Sequence, residues 1–378
     1  MAPVTAVREL VSLFSVGVVL FVASCDQGPV ELTTVSEQIA AAKSGDVIIV
    51  PPGSHGELEI NRSFQSDVII RSETPLAAAF QSVSIKGSHI VFDGVAITGL
   101  FSARNSSHIK VINSRTGYWT EALFSSNVTI QESDVTSTIN LEAVDGFSIV
   151  NNAIGRSPGG VNGDLIRVIG DSRNGLIENN SLEDAAPTKD DAAGTGTHAD
   201  GIQFINRGAD WPSDIVIRGN LIFDDPSTGD LGNLWMQPIN VGGSNILIEQ
   251  NLVMGGTPNT IIVANAYWPD KPVVVRNNTV FPWPLSGGGN IRVTDTAYGV
   301  VVQNNVSSQM LDQGNDTILK DNFIYSSDAS SPDSLNRLFD RKNDGMAWKD
   351  YTPQPGSPVD FGSGYGALNR VEELLEKR

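Results

Sequence analysis

NILIEQN (245–251), PVVVRNN (272–278) and GVVVQNN (299–305) are three copies of one phrase, an alternating aliphatic run that closes on an asparagine pair or a near relative. Moving outward, the phrase recurs as DIVIRGN (214–220), NGLIENN (174–180), GFSIVNN (146–152), NVTIQES (127–133), HIKVIN (108–113) and HIVFDG (89–94), and downstream as TILKDN (317–322). The closing positions lie as little as 17 residues apart, as between 305 and 322, and as much as 40 apart, between 180 and 220. Alternation with period two sends successive side chains to opposite faces. A unit this short cannot bury its inner face alone, but stacked copies make a continuous core. After the asparagine turn each unit continues into a second apolar strand, such as LIRVIG (165–170) or GIQFIN (201–206). Asparagine suits the turn because it tolerates the left-handed conformation, and its amide can bond the amide of the next coil.

The repeat resembles that of the right-handed parallel β-helix proteins, the architecture of pectate, pectin and alginate lyases, polygalacturonases and phage tailspikes. The expected fold is therefore all-β, a single-domain right-handed parallel β-helix of about 10–12 coils spanning residues 33–325 with its N-terminal cap. Thr34-Val35-Ser36-Glu37 has the form of a capping box, and Val35, Ile39 and Ala42 share one face of the helix it would start. That helix leads into KSGDVIIVPPG (43–53), which looks like the cap of many β-helix lyases. Residues 326–378 lose the period: 326–365 should wrap the end of the solenoid as loops, and ALNRVEELLEKR (367–378) should form an amphipathic helix over the last coil or the outer wall.

The 378 residues carry one cysteine and a net charge of -18. A disulfide framework is excluded, and 25 basic against 43 acidic residues disfavour nucleic acid. Before Cys25 runs LVSLFSVGVVLFVAS (10–24), too short to span a bilayer as a helix and suited to an export signal. Val22-Ala23-Ser24-Cys25 resembles the bacterial lipoprotein cleavage box. Residues 1–24 are read as a lipoprotein signal peptide and 25–32 as a short tether, with Cys25 the expected lipidation site; the mature chain is expected to be an exported monomer, lipid-anchored at a bacterial membrane on its periplasmic or cell-surface face, or otherwise secreted.

Length beyond a bare coil marks loops, and loops on a rigid frame collect sites. The longest extra stretch, within residues 182–213, delivers His198-Ala199-Asp200-Gly201-Ile202-Gln203 into a strand. Aligning the second strands of neighbouring coils gives two outward columns. One holds Asp164, Asp200 and Gln237; the other holds Arg167, Gln203, Asn240 and, further on, Arg292. The catalytic candidates are His198, Arg167, Asp200 and Arg292. Gln203, Gln237, Asn240, Trp235, Trp268 and Lys189 are candidates for substrate binding, the aromatic rings because flat faces stack on sugars.

The resemblance implies chemistry on an acidic polysaccharide. In β-elimination an arginine neutralises a uronate carboxylate, His198 removes the adjacent proton, and Asp164 with Asp200 can hold Ca²⁺ through oxygen ligands. Asp200-Gly201-Ile202 is similar to the Asp-Gly-Ile of polygalacturonases, which keeps a glycoside hydrolase open, and a uronan C5-epimerase would share the first steps. A non-catalytic surface lipoprotein that binds glycan is the alternative of a different class.

Overall fold

A computed structural model of the protein describes residues 34–155, 163–183, 199–223, 236–255, 259–283, 287–340, 352–360 and 363–367. The leader with Cys25, the residues Lys189, His198 and Trp235, and the expected C-terminal helix beyond Ala367 lie outside them.

Each coil contributes one strand to each of three sheets. Among the described residues sheet A has 12 strands from Val47–Val50 to Ile318–Lys320, sheet B has 13 and sheet C has 11 from Glu57–Ile60 to Gln309–Asp312. Every pairing within them is parallel except that of Thr279–Trp283 with the short Gly287–Gly288. Winding A to B to C and back to A, with the right-handed crossover that parallel strands favour, the chain is a right-handed parallel β-helix. The alternation read from the sequence fills its interior. Ile177, Ile217, Ile248, Val275 and Val302 are register partners in five successive sheet A strands, and all are fully buried. Each such side chain contributes roughly 1.5–3 kcal/mol.

The helix Val35–Ala41 closes the first coil with Val35 and Ile39 buried. Arg62 donates from Nη1 to the carbonyls of Ile39 and Ala40 at 2.7 and 2.6 Å, which satisfies groups that a helix end leaves open.

The asparagine pair divides its work between its two members. Asn151, Asn179, Asn277 and Asn304 hold φ between 53° and 58°, and Gly219 and Gln250 take the same left-handed turn at 63° and 55°. The residue after each is buried and builds the ladder. Asn152, Asn180, Asn220, Asn251, Asn278 and Asn305 each donate from Nδ2 to Oδ1 of the next asparagine, ending on Asn322, over 2.9–3.0 Å. Each Oδ1 also accepts the main-chain N–H of the asparagine before it. The expectation that one asparagine both turns and bonds is corrected: a left-handed residue points its side chain outward, so only its neighbour faces the interior. In earlier coils Ser114 and Ser133 occupy the ladder position.

Part of the C-terminal segment lies within the described residues. Tyr325, Leu338, Phe339 and Val359 pack with Leu221, Leu252, Met254, Phe281 and Val306 of sheet B. These described residues of the segment therefore lie on the wall of sheet B, and Ile318 and Leu319 of the last sheet A strand are exposed. The reason is that these sheet B strands carry apolar side chains on both faces, and the outer ones require cover.

Asn220→Ala should lower stability to urea by about 3 kcal/mol, because it strands buried amide groups of Asn180 and Asn251. Asn179→Gly, at φ 57°, should stay within about 1 kcal/mol of wild type. Unfolding curves followed by circular dichroism test the pair, and equal losses would contradict the division of labour.

Candidate functional site

Sheet C positions the candidate residues. In the coils that precede the site, three residues join the sheet B strand to the sheet C strand: 98–100, 117–119 and 136–138. In the next three coils the connection lengthens to residues 156–165, 184–198 and 224–235. The longest connections thus fall at one corner, at the start of the strands Ile166–Ile169, Ala199–Ile205 and Met236–Val241.

Register places the second column as expected. Arg167, Gln203, Asn240, Ile262 and Arg292 are successive Cα partners. In the first column Asp200 pairs with Gln237, and Asp164 lies beside Asp200, whose main-chain N–H donates to Asp164 Oδ1 at 2.8 Å.

The first column is not an exposed ledge, which corrects the sequence reading. Asp164 is 2% exposed and Asp200 is fully buried. Both sit where the strand leaves the corner, and side chains three residues on reach back over the column. Arg167 Nε donates to Asp164 Oδ2 at 2.8 Å. Asn240 Nδ2 donates to Asp200 Oδ2 at 3.0 Å and to Gln237 Oε1 at 3.3 Å. Burial raises the Asp164 carboxyl above the usual carboxylate range, and the neighbouring Asp200 adds to the rise. The Asp200 N–H and Arg167 oppose it without cancelling it.

Arg167 is the accessible part of the cluster, its side chain 32% exposed. Its guanidinium carbon stands 6.0 Å from the Trp119 ring centroid, and among the described residues its two terminal nitrogens make no hydrogen bond. Held from behind through Nε, the guanidinium presents its forked edge outward, the geometry that pairs with a carboxylate. Trp119 was not among the candidates read from the sequence, because it lies in a short corner and not in a long loop. Its signal was two consecutive aromatics, Tyr118-Trp119, in a three-residue corner where neighbouring coils carry Thr98-Gly99-Leu100 and Thr136-Ser137-Thr138.

Other candidates do not join this cluster. Arg292 lies four strands beyond Arg167, roughly 19 Å at one strand spacing per coil, and donates from Nη2 to Gln313 Oε1. Both arginines cannot serve one carboxylate. Trp268 stands with Tyr267 and Tyr298 in an exposed ring cluster, centroids 6.0 and 6.4 Å from Tyr267. These rings follow the ends of the strands Ile261–Val263 and Asn290–Val293, away from the corner that holds Asp200. Trp211 packs over Gly242, where any Cβ would collide with its ring.

Among the described residues, Asp164 and Asp200 by themselves do not make a Ca²⁺ site. Two carboxylates are too few for its six to eight oxygen ligands, and both already accept hydrogen bonds from protein donors. Among the described residues no group of three or more His, Cys, Asp or Glu is arranged to hold a metal.

No protein-family model matches the chain, and no curated protein matches it. Among solved structures it is similar to pectate lyase Pel9A, at 15% identity and a TM-score of 0.49 over 86% of this chain and 84% of that one. It is similar also to the PL6 family alginate lyase AlyGC, at 13% identity and a TM-score of 0.49 over 88% of this chain and 57% of that one. An alginate lyase from Paenibacillus sp. str. FPU-7 follows at 15% identity and a TM-score of 0.41, over 67% and 93% of the two chains. These likenesses concern the fold.

The raised Asp164 carboxyl has a measurable consequence. Its folded value lies above its ordinary one, so the folded state holds the proton more tightly than the unfolded chain does, and ionisation weakens the fold. That penalty is absent below the ordinary value of 3.8 and grows as pH rises through the raised one. Asp164→Asn should therefore have a higher urea midpoint than wild type at neutral pH, and the two should converge as pH falls toward 3.8. A gap independent of pH would contradict this.

Proposed function

We propose that the protein is a carbohydrate-active enzyme that cleaves a uronate-containing polysaccharide by β-elimination. The observation that carries this reading is the outward guanidinium edge of Arg167, oriented by buried Asp164 and backed by Trp119. In this reading Arg167 pairs with the uronate carboxylate and stabilises the charge that develops when the neighbouring C–H is deprotonated. His198, next to the strand that begins at Ala199, is the proposed base. The proton passes to it, the electron pair forms a carbon–carbon double bond, and the glycosidic oxygen departs and takes up a proton. In this reading Gln203 and Asn240, the next two residues of the column, bond sugar hydroxyls. Asp164 is a positioning residue, since it holds Arg167 without being exposed. No step passes through calcium.

Glycoside hydrolysis is less well supported: Asp164 and Asp200 are buried side by side, with no room between them for sugar and water. An epimerase remains the nearest relative in chemistry, sharing the proton removal. The exposed ring cluster of Tyr267, Trp268 and Tyr298 favours a second reading, a surface that binds glycan without cleaving it. Export and lipid attachment at Cys25 belong to the same proposal, and Cys25→Ser should move the protein from the membrane fraction to the soluble one.

Incubation with a panel of uronate polymers should give the ultraviolet absorbance of an unsaturated uronate on at least one of them. Arg167→Lys should reduce kcat/KM about 100-fold, because a point charge does not replace the fork. A chelator should leave the rate unchanged. Absorbance on no polymer, with glycan retained on an affinity gel, would replace catalysis by binding; new reducing ends without absorbance would indicate hydrolysis.

A further inference from the structure

The outward column of sheet C can be read along its whole length: Glu59, Ser84, Ser102, Glu121, Asn140, Arg167, Gln203, Asn240, Ile262, Arg292 and Leu311 are successive register partners. Two of these residues are cationic, four strands apart, and two are anionic. In the adjoining outward column, Arg104, Leu123, Glu142, Ile169 and Ile205, Glu142 is paired with Arg207, and the one cation, exposed Arg104, stands three strands before the Arg167 strand. A pyranose in an extended chain advances by about one strand spacing, ~4.8 Å, so a glycan lying across the strands sets one sugar over each coil. A homopolyuronate would bring a carboxylate to every coil and meet one cation in four, on a chain of net charge -18.

The positions around Arg167 suit uncharged sugars. Two strands before it stands Glu121, partly exposed, its Oε1 accepting a hydrogen bond from Ser102 at 2.7 Å. Between them Asn140 is 6% exposed, and its Oδ1 has no hydrogen-bond partner. Asn140 is uncharged, so this position offers a uronate no counter-charge. Trp119, half-buried at the corner of the Glu121 coil, is a ring of the type that stacks on neutral sugars. On the other side come the amides Gln203 and Asn240 and the apolar Ile262.

We propose that the glycan taken by this ledge is an acidic heteropolysaccharide whose uronates are separated by neutral sugars, with one uronate on Arg167 and neutral sugars over Glu121, Asn140, Gln203 and Asn240. This rests on Arg167 being the carboxylate site, but not on the bond being cleaved.

Affinity electrophoresis of the full chain tests it, in gels containing either a polysaccharide with one glucuronate per tetrasaccharide repeat or a β-1,4-linked homopolyuronate, at equal uronate concentration. Retention by the heteropolymer should be about tenfold stronger. Glu121→Gln, which removes the like charge, should strengthen retention by the homopolyuronate about fivefold. Equal or stronger retention by the homopolyuronate, retention by neither polymer, or no response to Glu121→Gln would each overturn the proposal. Retention by the heteropolymer without unsaturated product leaves it standing and removes the β-elimination; unsaturated product formed fastest from the homopolyuronate does the reverse.

Discussion

A parallel coil has no partner of its own: its inward side chains and strand edges are satisfied only by the coils before and after it. Everything else in this protein depends on that stacking being in register. The asparagine ladder from Asn152 to Asn322 enforces it, because an Oδ1 that accepts both the amide and the main-chain N–H of the preceding asparagine is aligned in only one way. A slip of one residue would strand buried amide groups and turn the inward Ile and Val columns outward. The same lock makes an outward position in one coil predictive of the position in the next.

The candidate site lies where this regularity is relaxed. The corner between sheets B and C lengthens only from residues 156–165 onward, and there the strands open on Asp164 and Asp200. Burying two carboxylates side by side opposes the fold, as the raised Asp164 shows. What it gains is a fixed guanidinium: Arg167 is anchored at Nε, flanked by Trp119 and open at its forked edge. A net charge of -18 repels an anionic polymer as a whole, so attraction must be local, and along the outward column of sheet C it is confined to Arg167 and Arg292. That sparseness is the basis of the proposal that the ledge takes a glycan carrying few charges.

Much of this was legible in the sequence. The coil count, the capping helix, and the alignment of Arg167 with Gln203, Asn240 and Arg292 follow from a repeat whose period is local and whose stacking has one solution. The burial of Asp164 and Asp200 was not legible, because an i to i+3 side-chain contact at a strand start breaks the alternation that assigns faces. Nor was Trp119, which reaches Arg167 from two coils away, or the docking of Tyr325, Leu338 and Phe339 on sheet B, whose outer apolar residues look like inner ones in a linear chain. The sequence by itself determined the solenoid, since hydrophobic period and turn residues act within a coil's length. Only the tertiary structure decided which polar residues are buried, which are presented and how far apart the cations stand, since those depend on contacts between residues that stacking brings together from distant parts of the chain.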